Sequence, residues 1–287
     1  MTEASTAARR IAVYLAVTVA LSSVFWFLII REGHLAAKGG AYVFGLMWCP
    51  GVAALVASLA TGRPLREIGW RWPRWRFLGL AWAIPLAYAA VAYGATWALG
   101  LGGVPNPAFV SWISTRYGST GPAAVAAYLL VLATVGVLVS CVSGLGEEIG
   151  WRGFLVPELA RTMPFHRVAL LSGAIWSVWH YPILLFADYN AGTPAWFGLL
   201  CFTVMVVGIA FVFAWIRIES GSVWPAALLH GSHNLFVQGV FDRLTSDTGA
   251  TKWIIGEFGA ALALVAVAAG WLTWRRFARS PGALAPA

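Results

Sequence analysis

The sequence carries very little charge for its length. Only 10% of its 287 residues are Asp, Glu, Lys or Arg, against about 25% in an average soluble protein. With 60% hydrophobic residues and a mean hydropathy of +0.76, the composition excludes a soluble globular protein. Cysteine is also scarce: Cys49, Cys141 and Cys201 lie in apolar segments without any CxxC spacing. We interpret them as packing residues, which excludes a disulfide scaffold and a cysteine-based zinc site.

No stretch shows the alternating ten-residue segments of an outer-membrane barrel, and helices are the other way to satisfy backbone groups in lipid. Apolar runs long enough to cross a bilayer occur eight times. They lie near 11–31, 41–61, 77–100, 121–146 with a continuation, 167–187, 196–216, 222–241 and 254–274. The sequence therefore predicts an all-α fold, a polytopic transmembrane helix bundle of about eight spans in a single integral membrane domain, 1–287.

Basic residues are distributed unevenly between the two ends of these spans. Of the 19 Lys and Arg residues, 14 lie on the side of the amino terminus, and the other side has Arg31, Lys38, Arg116, Arg243 and Lys252. The positive-inside rule then places both termini in the cytoplasm, as an even number of spans also requires. Because the net charge of +8 is dispersed in short segments between spans, it indicates topology. We expect a protein of the cell membrane, surrounded by the lipid bilayer, that binds no nucleic acid.

Polar side chains within the predicted spans are few. A charged group at bilayer depth costs about 2.5–3.5 kcal/mol on insertion scales, so each one is a functional candidate. The main candidates fall in three stretches: EEIGWR at 147–152, WSVWH at 176–180 and HGSHN at 230–234. Glu257 lies in the last predicted span, where the sequence indicates no partner for it.

Three of these side chains are predicted to lie at one depth. Glu147, His180 and His230 are each 13 or 14 residues from an arginine that marks the cytoplasmic end of the span, namely Arg161, Arg167 and Arg217. At 1.5 Å per residue this is about 20 Å, and arginine side chains extend outward to the interface, so all three fall near the midplane. The prediction requires the fourth helix to continue past Arg152 toward Pro157.

Spacing within the motifs indicates different roles. Glu148 and Arg152 are four residues apart, the favourable order for an ion pair on one helical face, whereas Glu147 points about 100° away. An unpaired carboxylate in a desolvated cavity is suited to act as a general base. His230 and Asn234 also share a face, and such a pair either forms a structural hydrogen bond or donates hydrogen bonds to an oxyanion.

The chemistry of this set leaves two uses open. A glutamate and a histidine can hold and deprotonate a water, which together with the His/Asn pair makes a hydrolase without a covalent nucleophile. Alternatively, Glu147, His180 and His230 form a two-histidine, one-carboxylate set like that of catalytic zinc enzymes, although no HExxH motif is present. No cofactor is firmly implied, and a divalent metal such as zinc stays an alternative.

Taken in order, the three motifs resemble those of the CPBP intramembrane endopeptidases, the CAAX-type and bacteriocin-processing or abortive-infection proteins. The family pattern EExxxR, FxxxH and HxxxN corresponds to the three stretches quoted above, and the resemblance covers about 121–241. It implies an eight-helix fold and hydrolysis of a peptide bond in the membrane. It also implies catalytic roles for Glu147, His180, His230 and Asn234, with Glu148 and Arg152 supporting them.

This sequence departs from the family pattern at Trp176, where the family usually has Phe. The larger ring keeps an aromatic wall and is expected to narrow the cavity. The expected substrate is a membrane-associated peptide or lipidated protein, either a prenylated CAAX peptide or a leader peptide, cut from the cytoplasmic side. Two other functions stay open: a non-catalytic membrane peptide-binding or immunity protein, and a proton-coupled transporter, because intramembrane carboxylates and histidines also build proton relays.

Overall fold

The computed structural model describes residues 2–118, 121–190 and 192–278, and Arg279, one of the arginines counted above, lies outside them. Within these residues the chain forms helices and turns, with one isolated bridge between Gly103 and Ser246. The all-α prediction is confirmed. The helices are α1 (Glu3–Glu32), α2 (Ala41–Thr61), α3 (Trp75–Ala98), α4 (Pro107–Tyr117), α5 (Pro122–Ala160), α6 (Phe165–Phe186), α7 (Ala195–Ser220), α8 (Trp224–Asn234) and α9 (Ala260–Ala278).

Six helical segments in the described residues are long and apolar enough to cross a membrane: α1, the segment Ala37–Thr61 that contains α2, α3, α5, α6 and α7. The remaining two predicted spans correspond to α8, which continues as π-helix through Leu235–Phe241, and to α9. The last predicted span began at 254, but α9 begins at Ala260 because 254–259 forms turns in which Gly256 has a positive φ of 75°. Glu257 therefore lies in this turn segment, and its backbone is not part of α9.

The fourth helix continues past Arg152 to Ala160, as the depth argument required. Two π-helical segments, Leu132–Gly136 and Trp151–Leu155, interrupt its α-helical geometry. Such π-segments occur frequently at functional sites. The second one begins three residues after Glu148 and widens the helix where the charged motif lies.

Helix α5 crosses α2 at very short range. A Cβ at Gly51 would lie 2.5 Å from the carbonyl oxygen of Gly146, and a Cβ at Gly150 would lie 2.5 Å from Pro50. Only glycine allows this approach of two backbones, as small residues do in membrane helix pairs. Helix α8 approaches α5 in the same way, because a Cβ at Gly231 would lie 2.7 Å from Cys141. These contacts bring the EEIGWR motif between α2 and the HGSHN motif on α8.

Candidate active site

A cavity of about 160 Å³ lies between α2, α5, α6, α7 and α8. Its polar lining includes the sequence-predicted Glu147, His180, His230 and Asn234. The structure thus brings together side chains from three different motifs, and all but Asn234 are at least nine-tenths buried. The rest of the lining is mostly aliphatic and aromatic, so these polar groups lie in a largely apolar wall.

Glu147 is held by two tryptophans from two helices. Its Oε2 atom accepts a hydrogen bond of 2.7 Å from Nε1 of Trp176 and one of 3.2 Å from Nε1 of Trp151. Its Oε1 atom lies 4.0 Å from Nε2 of His230 and has no arginine partner among the described residues. The carboxylate therefore has one oxygen fixed by the protein and one oxygen directed to the cavity.

Trp176, which stands where the family pattern has Phe, does more than form the wall of the cavity. Its indole ring lines the cavity, and its N–H also binds the carboxylate of Glu147. A phenylalanine at this position has no group that can donate this hydrogen bond. The residue therefore orients Glu147 in addition to forming the aromatic wall.

Glu148 forms the ion pair that the sequence predicts and also binds a residue of the third motif. Its Oε1 atom accepts from Nη1 of Arg152 and from Nδ1 of His230, each at 2.8 Å. The guanidinium of Arg152 lies between two aromatic rings, 4.1 Å from the centroid of Trp176 and 4.0 Å from that of Phe213. Because these groups are buried, the pair and its cation–π contacts fix the imidazole of His230 in place.

His180 and Asn234 present free polar groups to the cavity. Nδ1 of His180 lies 2.9 Å from the carbonyl oxygen of Trp176 and donates to it, so Nε2 is the nitrogen left for a ligand or water. The side chain of Asn234 lines the cavity and makes no hydrogen bond with the described residues. The hydrogen bond between His230 and Asn234 that their spacing allowed is not formed, because His230 binds Glu148 instead.

The set does not fit a three-ligand metal site as it is arranged. Among the residues that the structure describes, no three His, Cys, Asp or Glu side chains are grouped closely enough to hold a metal ion. Nδ1 of each histidine is bound to a protein acceptor, which leaves Nε2 available as metal-ligating histidines also do, and Oε2 of Glu147 is bound to two indoles. The zinc alternative therefore stays a prediction, and no step below depends on a metal.

A second polar cluster lines the same cavity, and sequence reasoning missed it. Nε2 of His233 lies 2.9 Å from Oε1 of Glu257, and Nδ1 of His233 is hydrogen-bonded to the hydroxyl of Tyr88. The hydroxyl of Tyr189 donates to Oε2 of Glu257 at 2.7 Å. The prediction that Glu257 has no partner is wrong. No spacing rule could connect it with His233, because the two groups meet only when the 254–259 turns pack against α8.

Arg217, one of the three depth markers, does not have the position that the sequence predicts. Arg217 does not extend outward to the interface but is buried, and its Nε donates 2.8 Å to the carbonyl oxygen of Arg152. Its Nη2 donates to the carbonyl oxygen of Glu67 at 3.0 Å. The carbonyl groups satisfy the guanidinium locally, so it does not need water. The common depth of Glu147, His180 and His230 nevertheless agrees with their position in one cavity.

Fold and site together define an integral membrane helix bundle with a buried carboxylate–histidine centre. Residues 129–236 match the family model "Type II CAAX prenyl endopeptidase Rce1-like". A curated relative, "CAAX prenyl protease 2" of Methanococcus maripaludis, is 26% identical over 96 residues, which cover 31% of this chain and 34% of the relative. The match thus spans about a third of that relative's length.

The matched segment contains all three motifs from Glu147 to Asn234, whereas Glu257 lies beyond it. The recognition made from the motifs is confirmed, because residues 129–236 match an Rce1-like family model and the curated relative is named as a CAAX prenyl protease.

Proposed function

We propose that this protein is an intramembrane endopeptidase that hydrolyses a peptide bond of a membrane-associated peptide. The observation that carries the proposal is the carboxylate of Glu147, which has Oε2 held by two indoles and Oε1 directed to a cavity that His180 also lines. Among the lining residues that the structure describes there is no Ser, Thr, Cys or Lys. The wall that the structure describes thus has no hydroxyl of Ser or Thr, thiol or amine of the kind that attacks in covalent proteases, which favours a water molecule as the attacking group.

In the proposed reaction, Glu147 and Nε2 of His180 hold a water between them. Glu147 takes a proton from this water while the oxygen of the water attacks the carbonyl carbon of the substrate. The resulting oxyanion accepts hydrogen bonds from the amide of Asn234 and from Nε2–H of protonated His230, whose Nδ1–H stays on Glu148. Glu147 then gives the proton to the leaving amine as the C–N bond breaks.

The substrate class follows from what the matched proteins are named for and from the cavity. The relative is named as a CAAX prenyl protease, so a prenylated CAAX peptide is one candidate for this chain, and a leader peptide is the other. The cavity of about 160 Å³ is smaller than the roughly 300 Å³ at which pockets for drug-sized ligands begin. It therefore suits a short extended stretch of peptide around the cut bond.

The first test is cleavage of a panel of prenylated CAAX and leader peptides by purified protein in lipid, with and without chelator. We expect Asn234→Ala to lower kcat by about 10²–10³-fold, the range measured when one oxyanion-hole donor is removed. We expect His180→Ala to lower kcat by about 10²-fold or more, because the water that Glu147 deprotonates loses one of its two partners. His166→Ala is the matched control, because His166 is on the same helix as His180 but does not line the cavity. Cleavage that survives chelator supports activation of water by Glu147.

If the wild-type protein binds peptides from the panel without cutting them, the peptide-binding alternative replaces the endopeptidase. If product forms equally in wild type and His180→Ala, the assignment of the water-holding histidine is wrong. Loss of all product in chelator, with recovery on adding zinc, would favour the metal over the mechanism proposed here.

Replacing Trp176 with Phe tests how Glu147 is positioned. We expect kcat to fall by about 10–150-fold, because a hydrogen bond to a charged group is worth about 1.5–3 kcal/mol and about 1.4 kcal/mol corresponds to a factor of ten. Trp179→Phe is the matched control: this indole also lines the cavity, but its N–H donates to Ser22. If Trp176→Phe and Trp179→Phe lose activity to the same extent, Trp176 does not position Glu147.

A further inference from the structure

The cavity lies toward one end of the helix bundle. Its lining residues on α6 begin at Trp176 and continue through His180 to Ile183 near the helix end at Phe186. On α7 they run from Ile209 back to Phe202, toward the helix start that faces the same end. Helices α6 and α7 therefore contribute side chains from the depth of Glu147 to the end of the bundle opposite Glu3 and Ala278.

Three connecting segments at that end, 33–40, 187–194 and 245–259, are here named the loop face. Each of them contributes to the cavity wall: Leu35 from the first, Tyr189 from the second and Glu257 from the third. Two of these segments are tied together, because the backbone N–H of Leu35 donates to the carboxylate of Asp188 at 2.7 Å. The mouth of the cavity thus lies among the connections of the loop face.

At the other end, here named the terminal face, the bundle is closed below the site. Arg152 fills the space under Glu147 between the rings of Trp176 and Phe213. Arg63, in the 62–74 connection, binds Glu158 at 2.7 Å, and both side chains are buried. Burial lowers the pKa of Arg63 from its ordinary value, and the carboxylate of Glu158 opposes this change. None of the described residues in the 62–74, 161–164 and 221–223 connections lines the cavity.

Charge assigns the two faces to the two sides of the membrane. Among the described residues, the loop face and the neighbouring helix ends carry only five of the basic residues: Arg31, Lys38, Arg116, Arg243 and Lys252. The terminal face carries most of the others, and the positive-inside rule places such a face in the cytoplasm. The loop face, with the mouth of the cavity, is then outside.

We infer that the active-site cavity is reached from the extracytoplasmic side, and that the substrate is an exported peptide anchored in the outer half of the bilayer. The identity of the substrate rests on the proposed function, whereas the side of access rests on the fold and on the distribution of basic residues. Cytoplasmic cleavage, as expected from the sequence, does not agree with the closed terminal face. A leader peptide carried across the membrane fits this geometry better than a prenylated peptide that stays in the cytoplasm.

The polar mouth agrees with a peptide occupant. Gln238 is exposed and lines the cavity. Asn234, four residues earlier in the chain, also lines it. Amide side chains can both donate to and accept from a peptide backbone. Another part of the lining is apolar and includes Val43, Leu46 and Met205, which suits a hydrophobic side chain of the same peptide.

Labelling of single added cysteines tests the side of access without any need for activity. Leu35→Cys places a thiol at the mouth, and Leu65→Cys is the matched control on the terminal face, where Leu65 is 41% exposed. Asp247→Cys, at an exposed position of the loop face, is a second reporter in case Leu35→Cys disturbs folding. Intact cells are treated with a membrane-impermeant maleimide, and the modified residue is identified by mass spectrometry against wild type.

We expect Leu35→Cys and Asp247→Cys to be labelled in intact cells, and Leu65→Cys only after the membrane is permeabilised. The reverse pattern overturns the inference. A second arm uses one substrate peptide anchored with its cut site on the outer or the inner side of the membrane. Cleavage of only the outer form supports the inference, and cleavage of only the inner form overturns it. If Leu35→Cys is labelled in intact cells but neither form of the peptide is cut, the inferred side of access is supported. The same result counts against the proposed endopeptidase activity.

Discussion

Replacing Glu147 with Gln is expected to lower kcat for peptide hydrolysis by about 10²–10⁴-fold, the contribution typical of a positioned general base, while KM stays unchanged. The amide is nearly isosteric, and its oxygen can still accept from the indoles of Trp176 and Trp151. What it loses is the ability to take a proton from water and return it to the leaving amine. Steady-state cleavage of the best peptide in the panel, by protein in lipid, measures both constants.

Glu67→Gln is the matched control for this prediction. Glu67 lies in the 62–74 connection, its side chain is 32% exposed, and it pairs with Arg161 at 2.9 Å. We expect its removal to leave kcat at the wild-type value. Thermal unfolding of Glu147→Gln in detergent checks that the fold is retained. The mechanism is contradicted if Glu147→Gln cuts the peptide as fast as Glu67→Gln does.

The second large effect is on stability. Arg152→Met is expected to lower the free energy of unfolding by about 3–5 kcal/mol, because breaking a buried ion pair leaves an uncompensated charge on its partner. That partner is Glu148, which is fully buried and already has one oxygen, Oε2, without a hydrogen bond among the described residues. The change also removes the cation–π contacts with Trp176 and Phe213. Reversible unfolding by titration with a denaturing detergent measures the difference.

Arg161→Met is the corresponding control at the surface. The side chain of Arg161 is 33% exposed, and ion pairs of such exposed groups contribute about 0–1 kcal/mol. A second comparison uses Arg152→Met combined with Glu148→Gln, in which position 148 no longer carries a buried charge. We expect the double variant to recover part of the lost stability, since the effects of substitutions at two residues in contact do not add. An equal loss in Arg152→Met and Arg161→Met would show that the buried pair is not the source of the effect.

Much of the site could be predicted from the sequence because its parts are local. The pairing of Glu148 with Arg152 follows from four-residue spacing on one helix, and the common depth of Glu147, His180 and His230 follows from counting along helices of known rise. The EExxxR, FxxxH and HxxxN pattern was sufficient to recognise the family. The hydrogen bonds that orient Glu147 were not predictable from spacing, since Trp176 belongs to another helix, 29 residues away along the chain.

By itself, the sequence determined that the protein lies in the membrane, that it is all-helical, and which polar residues are candidates for chemistry. Composition, run length and the helical period are properties of neighbouring residues, so they can be read without a fold. Only the tertiary structure decided that His230 binds Glu148 across 82 residues of chain and that His233 binds Glu257. It also decided that Leu35, Tyr189 and Glu257 of the connecting segments line the same cavity as Glu147. These outcomes depend on how closely glycines such as Gly146 and Gly150 allow helices to pack, and that is set by the whole bundle.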